Sequence, residues 1–216
     1  MLKLYFSPGA CSFVPLVALE AVKAATGEDF ETQIVKLHKG EQQSPEYLAL
    51  NPMGQVPVLR TDAGELLTEN SAVLQYVADR FPESKLAPEG DLARARLREW
   101  LGFIGTELHK AVFVPLLDPK APGAVKAYAR EKLALRMDVL AKHLSGREFL
   151  LDAFSVADAY LATVLNWTRA TDVSLAQWPA VQSYHERLLA RPSVAKALGE
   201  EFALYQAGLA AAQART

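Results

Sequence analysis

Asn51-Pro-Met-Gly-Gln-Val-Pro-Val-Leu59, followed by Asp62-Ala-Gly64 and Glu65-Leu-Leu-Thr68, decides the fold. Two short apolar runs joined by a few residues containing Asp and Gly read as a β-hairpin. Pro57 has no N–H to give a central ladder, so it belongs at the end or edge of the first strand. Val56 before it is pushed towards extended geometry, and sequence alone predicts a trans bond between the two.

Upstream, Leu2-Lys-Leu-Tyr-Phe6 reads as a strand stopped by Ser7-Pro-Gly9. From Phe13 to Ala25 the residues Phe13, Leu16, Val17 and Leu19 fall at helical spacing, with Glu20 and Lys23 opposite and Gly27 where a left-handed C-cap is wanted. Phe30 to Leu37 is a second strand, so the segment is a βαβ unit with parallel strands and a right-handed crossover. Downstream of the hairpin, Glu69 to Arg80 is predicted helical with Ala72, Val73, Tyr76 and Val77 on one face. The order βαβ then ββα describes a small four-stranded mixed sheet flanked by helices, a thioredoxin-like α/β domain over residues 1–81.

Phe81 to Gly90 has the Pro, Gly and charge of a surface linker, and beyond it only helical periodicity is present. Residues 92–216 are therefore expected to form an all-α domain. Its helices are predicted at Ala93–Val114 (closed by Pro115), Val125–Leu144, from Ser155, Pro179–Ala190 and Pro192–Leu198. Ser155 with Asp158 three positions on is close to a capping box, with Asp for Glu. The Ala-rich tail is expected to fray.

A formal net charge of −2 over 216 residues provides no global field for nucleic acid or anionic lipid. The apolar run from Phe149 to Trp167 is interrupted by Asp152 and Asp158, and MLKLYF carries no signal-peptide core. One cysteine forbids an internal disulfide and a multi-thiolate zinc site, and no histidine cluster suggests a metal. A cytoplasmic protein without a metal, a membrane or a nucleic-acid partner is the expectation.

That cysteine, Cys11, stands immediately before the first helix, where Ser12 is placed to cap and Pro15 fits the first turn. Helix amides and the dipole there favour the nucleophilic thiolate. A small buried hydrophobe is the alternative reading. Cys11-Ser-Phe-Val14 lacks a second thiol, so any redox step borrows one from a partner. On the long helical segment, Gly102, Gly105 and His109 share a face beside the stripe Leu97, Leu101, Ile104 and Leu108. Each mid-helix glycine costs roughly 1 kcal/mol against alanine, which suggests close approach of a helix or ligand. His38, His143 and His185 are read as surface residues.

Taken in order, Tyr5-x-Ser-Pro-Gly-Ala-Cys-Ser12, Asn51-Pro-x-Gly-Gln-Val-Pro57, Leu67-Thr-Glu-Asn70, Glu107-Leu-His-Lys110 and Phe154-Ser-Val-Ala-Asp-Ala-Tyr160 resemble the bacterial beta-class glutathione transferases across nearly the whole chain. The resemblance implies a glutathione transferase fold, glutathione as co-substrate with no further cofactor, a small electrophile as second substrate, and a homodimer. It implies Cys11 and His109 as catalytic residues beside the glutathione sulfur, and Ser12 as an auxiliary donor. It further implies Val56 before a cis Pro57 for main-chain pairing with glutathione, Glu69 and Asn70 for the γ-glutamyl end, Lys39 for the glycine carboxylate, and Trp167 at the electrophile pocket. Asn70 stands where many relatives have Ser, and Gly102 where relatives often carry Asn.

The reaction implied is attack of the ionised glutathione sulfur on an electrophilic carbon, with Tyr5 and Ser12 as rival activators. Thiol–disulfide exchange or reductive dehalogenation through a Cys11 mixed disulfide uses the same site, because a low-pKa thiol is both nucleophile and leaving group. Non-enzymatic ligand binding on the same scaffold is the third reading.

Overall fold

The structure, a computed structural model, describes residues 1–213 of the 216. It forms two compact units, residues 1–84 together with the chain from Pro192 onward, and Lys85–Arg191.

In the first unit β1 (Leu2–Phe6), α1 (Phe13–Thr26) and β2 (Phe30–Ile34) make the expected βαβ unit. A short helix, α2 (Pro45–Leu48), leads to β3 (Val58–Arg60) and β4 (Leu66–Leu67), and the sheet order is β2-β1-β3-β4. β1 pairs parallel with β2 (Leu4 opposite Thr32) and antiparallel with β3 (Leu4 opposite Leu59), so the sheet is mixed as read. Leu4, Val58 and Leu59 are completely buried, and each such side chain contributes about 1.5–3 kcal/mol of burial. Pro57 sits one residue before β3, where its missing N–H breaks no ladder bond, and the Val56–Pro57 bond is cis, not the trans isomer predicted from sequence alone.

Helix α1 ends at Gly27 in the left-handed conformation (φ 78°), whose N–H bonds the Lys23 carbonyl at 2.9 Å. Its polar face differs from expectation, because Glu20 is buried and ion-paired with Lys196. The cover is α9 (Pro192–Gln213), which packs on α1 through the fully buried Val194 and Ala197. This helix runs past the Leu198 end predicted for it and belongs with the first unit, whereas the sequence division grouped all of 92–216. The Ala-rich tail expected to fray is helical as far as Gln213, and its last residues, 214–216, lie outside the described residues. On α3 (Asn70–Arg80) the buried face is Asn70, Val73, Leu74, Val77 and Ala78; it shares Val73 and Val77 with the face predicted but is offset by one residue, since Ala72 is exposed and Tyr76 half-buried.

The second unit begins inside the supposed linker: Leu86 is buried and its carbonyl accepts the N–H of Val156 at 2.9 Å. α4 (Asp91–Phe103) continues into a π-helical segment, Ile104–Phe113, and then α5 (Val114–Leu117). Pro115 falls within α5 and does not close the helix; a proline inside a helix removes one i→i−4 bond and crowds the preceding turn, which suits the widened pitch before it. α6 (Gly123–Leu144), α7 (Val156–Asn166) and α8 (Pro179–Leu189) complete the unit. Val156 to Leu165 are all buried, which makes α7 the core helix. Its capping box is present: Asp158 accepts the Ser155 N–H and hydroxyl, the Leu150 N–H and the Tyr184 hydroxyl, at 2.7–2.9 Å. Burial pushes this carboxyl above its ordinary range, while those four donors pull it back.

Candidate active site

In the first unit, Ser7-Pro8-Gly9-Ala10 closes a turn, with the Ala10 N–H on the Ser7 carbonyl at 3.2 Å and Gly9 at φ 78°. Pro and a positive-φ Gly at the two central positions are the residues a type II turn requires. Cys11 follows at half-buried depth, and its Sγ donates to the Val56 carbonyl at 3.3 Å. The Asn70 Nδ2 donates to the Cys11 carbonyl at 3.1 Å. One short region of space thus gathers Cys11, the main chain of Val56 beside Pro57, and the start of α3 with Glu69 and Asn70.

Ser12 is completely buried but does not cap α1. Its hydroxyl accepts the Ser7 N–H at 2.9 Å and donates to the Ser7 carbonyl at 3.2 Å, tying the turn to itself. The N-cap residue here has helical backbone angles (φ −69°, ψ −7°), which aim its side chain away from the first-turn amides. Tyr5 is buried edge-on against Tyr47, so it is packed into the core. Glu69 precedes α3 at φ 64° and ψ 120°, a conformation non-glycine residues rarely adopt, and such strain concentrates at functional sites. The Oδ1 of Asn70 is buried with no hydrogen-bond partner among the described residues. Lys39 is exposed on a 3₁₀ turn, and no described hydrogen bond or ion pair joins its side chain to this cluster.

Sequence reasoning gave no individual role to Tyr47 or Asn51. The Tyr47 hydroxyl and the Asn51 Nδ2 both donate to the Gln55 carbonyl, at 2.9 and 2.8 Å, and so fix the bend before Val56. Burial, with Cys11 and Tyr5 nearby, pushes the Tyr47 phenol up to about 12, so it remains a proton donor at neutral pH. The available signal was the Ser44-Pro45 start of α2, where Ser44 caps by accepting the Tyr47 N–H at 3.2 Å.

In the helical unit His109 is buried with its Nδ1 hydrogen-bonded to the Tyr160 hydroxyl at 2.7 Å. Trp167 packs between His109 (ring centroids 4.9 Å apart) and Phe113 (6.0 Å). Burial, and secondarily Lys110, lower the imidazole to about 4. The ring is therefore neutral at pH 7 and offers hydrogen bonds, not a cation. Gly102 faces open space where a Cβ would stand, so among the described residues no neighbouring helix approaches it closely. Two further histidines are less exposed than the surface reading gave them, His143 half-buried and His185 buried. His143 bonds the Leu150 carbonyl at 2.8 Å and lies against Trp100, while His185 is buried and lowered to about 4, chiefly by desolvation. Among the described residues no group of three or more His, Cys, Asp or Glu is placed to hold a metal ion, and no helix is long and apolar enough to cross a membrane.

Comparison with known proteins matches residues 1–79 to the glutathione S-transferase N-terminal domain and residues 106–192 to the C-terminal domain. Glutathione S-transferase GstA of Escherichia coli O157:H7 is 37% identical over 203 residues, covering 93% of this chain and 98% of that protein. A sphingomonad glutathione S-transferase solved in complex with glutathione is 44% identical with a TM-score of 0.84, over 92% of this chain and 98% of that one. A bacterial beta-class enzyme from Sphingomonas chungbukensis is 40% identical with a TM-score of 0.83, at the same coverage.

Proposed function

This chain belongs to the glutathione S-transferase family, and from that premise we propose that it activates the thiol of glutathione for attack on small, largely apolar electrophiles. The observation that carries the reading is the linkage of Cys11 to Val56 on one side and to Asn70 on the other.

As it stands, the Cys11 S–H donates to the Val56 carbonyl oxygen. An extended tripeptide pairing its main chain with Val56 takes that carbonyl, and the S–H turns to donate to the glutathione sulfur. Each unit by which such a bond lowers the glutathione thiol pKa corresponds to about 1.36 kcal/mol. The glutathione proton passes to solvent, the sulfur lone pair forms the new carbon–sulfur bond, and the leaving group departs with its bonding electrons. Glu69 meets the γ-glutamyl ammonium, and the buried Asn70 Oδ1 accepts another of its protons. The first-turn amides of α3 take the carboxylate, and Lys39 the glycine carboxylate. Ser12, committed to Ser7, holds the turn. In the helical unit, neutral His109 contributes hydrogen bonding and Trp167 the aromatic surface for the electrophile.

Calorimetric titration with glutathione tests this reading: saturable binding supports it, and no binding overturns it in favour of a scaffold that binds other apolar ligands. A second reading rests on Cys11 being only half-buried at the start of α1. Its thiolate attacks the disulfide of oxidised glutathione, a mixed disulfide forms and a glutathione thiolate leaves. Intact mass after treatment with oxidised glutathione decides it, since the absence of an adduct removes it.

The functional unit is a cytoplasmic homodimer. Val125, Tyr128, Leu135 and Val139 recur at helical spacing along α6 and are all exposed, a largely apolar stripe, with Lys132 laid over the Tyr128 ring within it, suited to a second copy of the chain.

A further inference from the structure

In any β-turn closed by the first carbonyl and fourth amide, the N–H of the third residue has no partner inside the turn. In Ser7-Pro8-Gly9-Ala10 that group is the Gly9 N–H. It donates to the Glu201 Oε1 at 2.7 Å, across 192 residues of sequence. Glu201 lies on α9 at i+4 from Ala197 and i+7 from Val194, the two fully buried residues that seat the helix. A carboxylate therefore occupies a position the helical pattern reserves for an apolar side chain. Its exposure is intermediate, and burial raises its pKa against the Gly9 hydrogen bond. Lys196, five residues earlier, is paired with Glu20 of α1, so α9 is fixed against the rest of the first unit at two points.

We infer that Glu201 is a positioning residue for Cys11: its carboxylate holds the Pro8–Gly9 peptide, and with it the direction in which Cys11 leaves the turn towards Val56. The relevance to turnover rests on the reading of Cys11 as donor to the glutathione sulfur, but the contact is testable without glutathione.

Hydrogen–deuterium exchange over residues 7–12 and the rate of Cys11 alkylation by iodoacetamide are to be measured for the wild type, Glu201→Leu and Glu201→Gln. The wild-type Gly9 amide is expected to be protected although it makes no main-chain bond. Glu201→Leu should lose that protection by about tenfold or more and shift the alkylation rate at least threefold, because local opening then exposes the turn. Glu201→Gln, which keeps an acceptor of the same shape, should restore both to within about twofold. An unprotected Gly9 amide in the wild type overturns the inference without any variant, which covers the case of a leucine variant that does not fold. So do unchanged exchange and alkylation in Glu201→Leu, or equal losses in both variants. Failure of glutathione to bind in calorimetry overturns the functional reading and leaves this contact standing.

Discussion

The Asn70 Nδ2 donates to the Cys11 carbonyl across 3.1 Å, joining the first turn of α3 to the segment that carries the thiol. The two residues are 59 positions apart, so this bond fixes the thiol relative to the amides proposed to bind the γ-glutamyl end. Replacing Asn70 by Ala removes the donor and leaves a partly buried carbonyl without it. We expect a stability loss of about 1–2 kcal/mol and a glutathione dissociation constant raised about tenfold. Thermal unfolding and calorimetry read the two effects. A variant with unchanged affinity removes Asn70 from the binding site.

Cys11 is expected to act as a hydrogen-bond donor. Conjugation of glutathione to an aromatic halide should fall about tenfold or more in Cys11→Ala, as for loss of one well-aimed donor in a catalytic site. Cys11→Ser keeps a donor and should retain most of the rate. If the alanine variant keeps its rate, Cys11 has no part in conjugation; if serine falls as far as alanine, sulfur chemistry is involved.

These two residues also mark how far the sequence could be read. The βαβ unit and hairpin were legible because their signals are local: period-two runs, a Pro-Gly stop, and Gly27 at a helix end. Cys11 was legible because its place before α1 follows from the same local reading. Glu20 was misread as solvent-facing because nothing within α1 reveals that α9 covers it. The Gly9–Glu201 contact and the burial of His185 are likewise tertiary facts with no local pattern. Ser12 had the right residue type for a cap, yet it pairs with Ser7, and only the backbone angles distinguish the two outcomes.

His109 and His185 are each lowered from 6.5 to about 4, with burial as the leading cause. Between those values the unfolded chain binds protons that the folded chain does not, so stability rises with pH across this window. It is fully present above about pH 6.5 and is lost as pH falls towards 4, by up to roughly 3 kcal/mol per histidine. Denaturant midpoints at pH 7.5, 5.5 and 4.5 should fall in that order. His185→Gln should flatten the slope, and a slope unchanged in that variant rejects the assignment. Over pH 6–8, by contrast, His109 stays neutral, so the conjugation rate should carry no ionisation from it. His109→Gln, neutral and hydrogen-bonding, should preserve the shape of the pH profile.

Leu135 and Tyr128 are the most exposed members of the α6 stripe, at 63% and 58%. A charge placed there meets the same charge on the second copy if the interface is two-fold, because each patch then faces itself or its neighbour. Desolvating that charge without a partner opposes association by several kcal/mol. Sedimentation velocity of the wild type should show a dimer, and Leu135→Glu should shift it to monomer at micromolar concentration. Since Leu135 is solvent-exposed in the single chain, the variant should keep its helical circular dichroism, which separates dissociation from unfolding. A wild-type monomer, or a Leu135→Glu dimer of undiminished affinity, rules out this face as the interface.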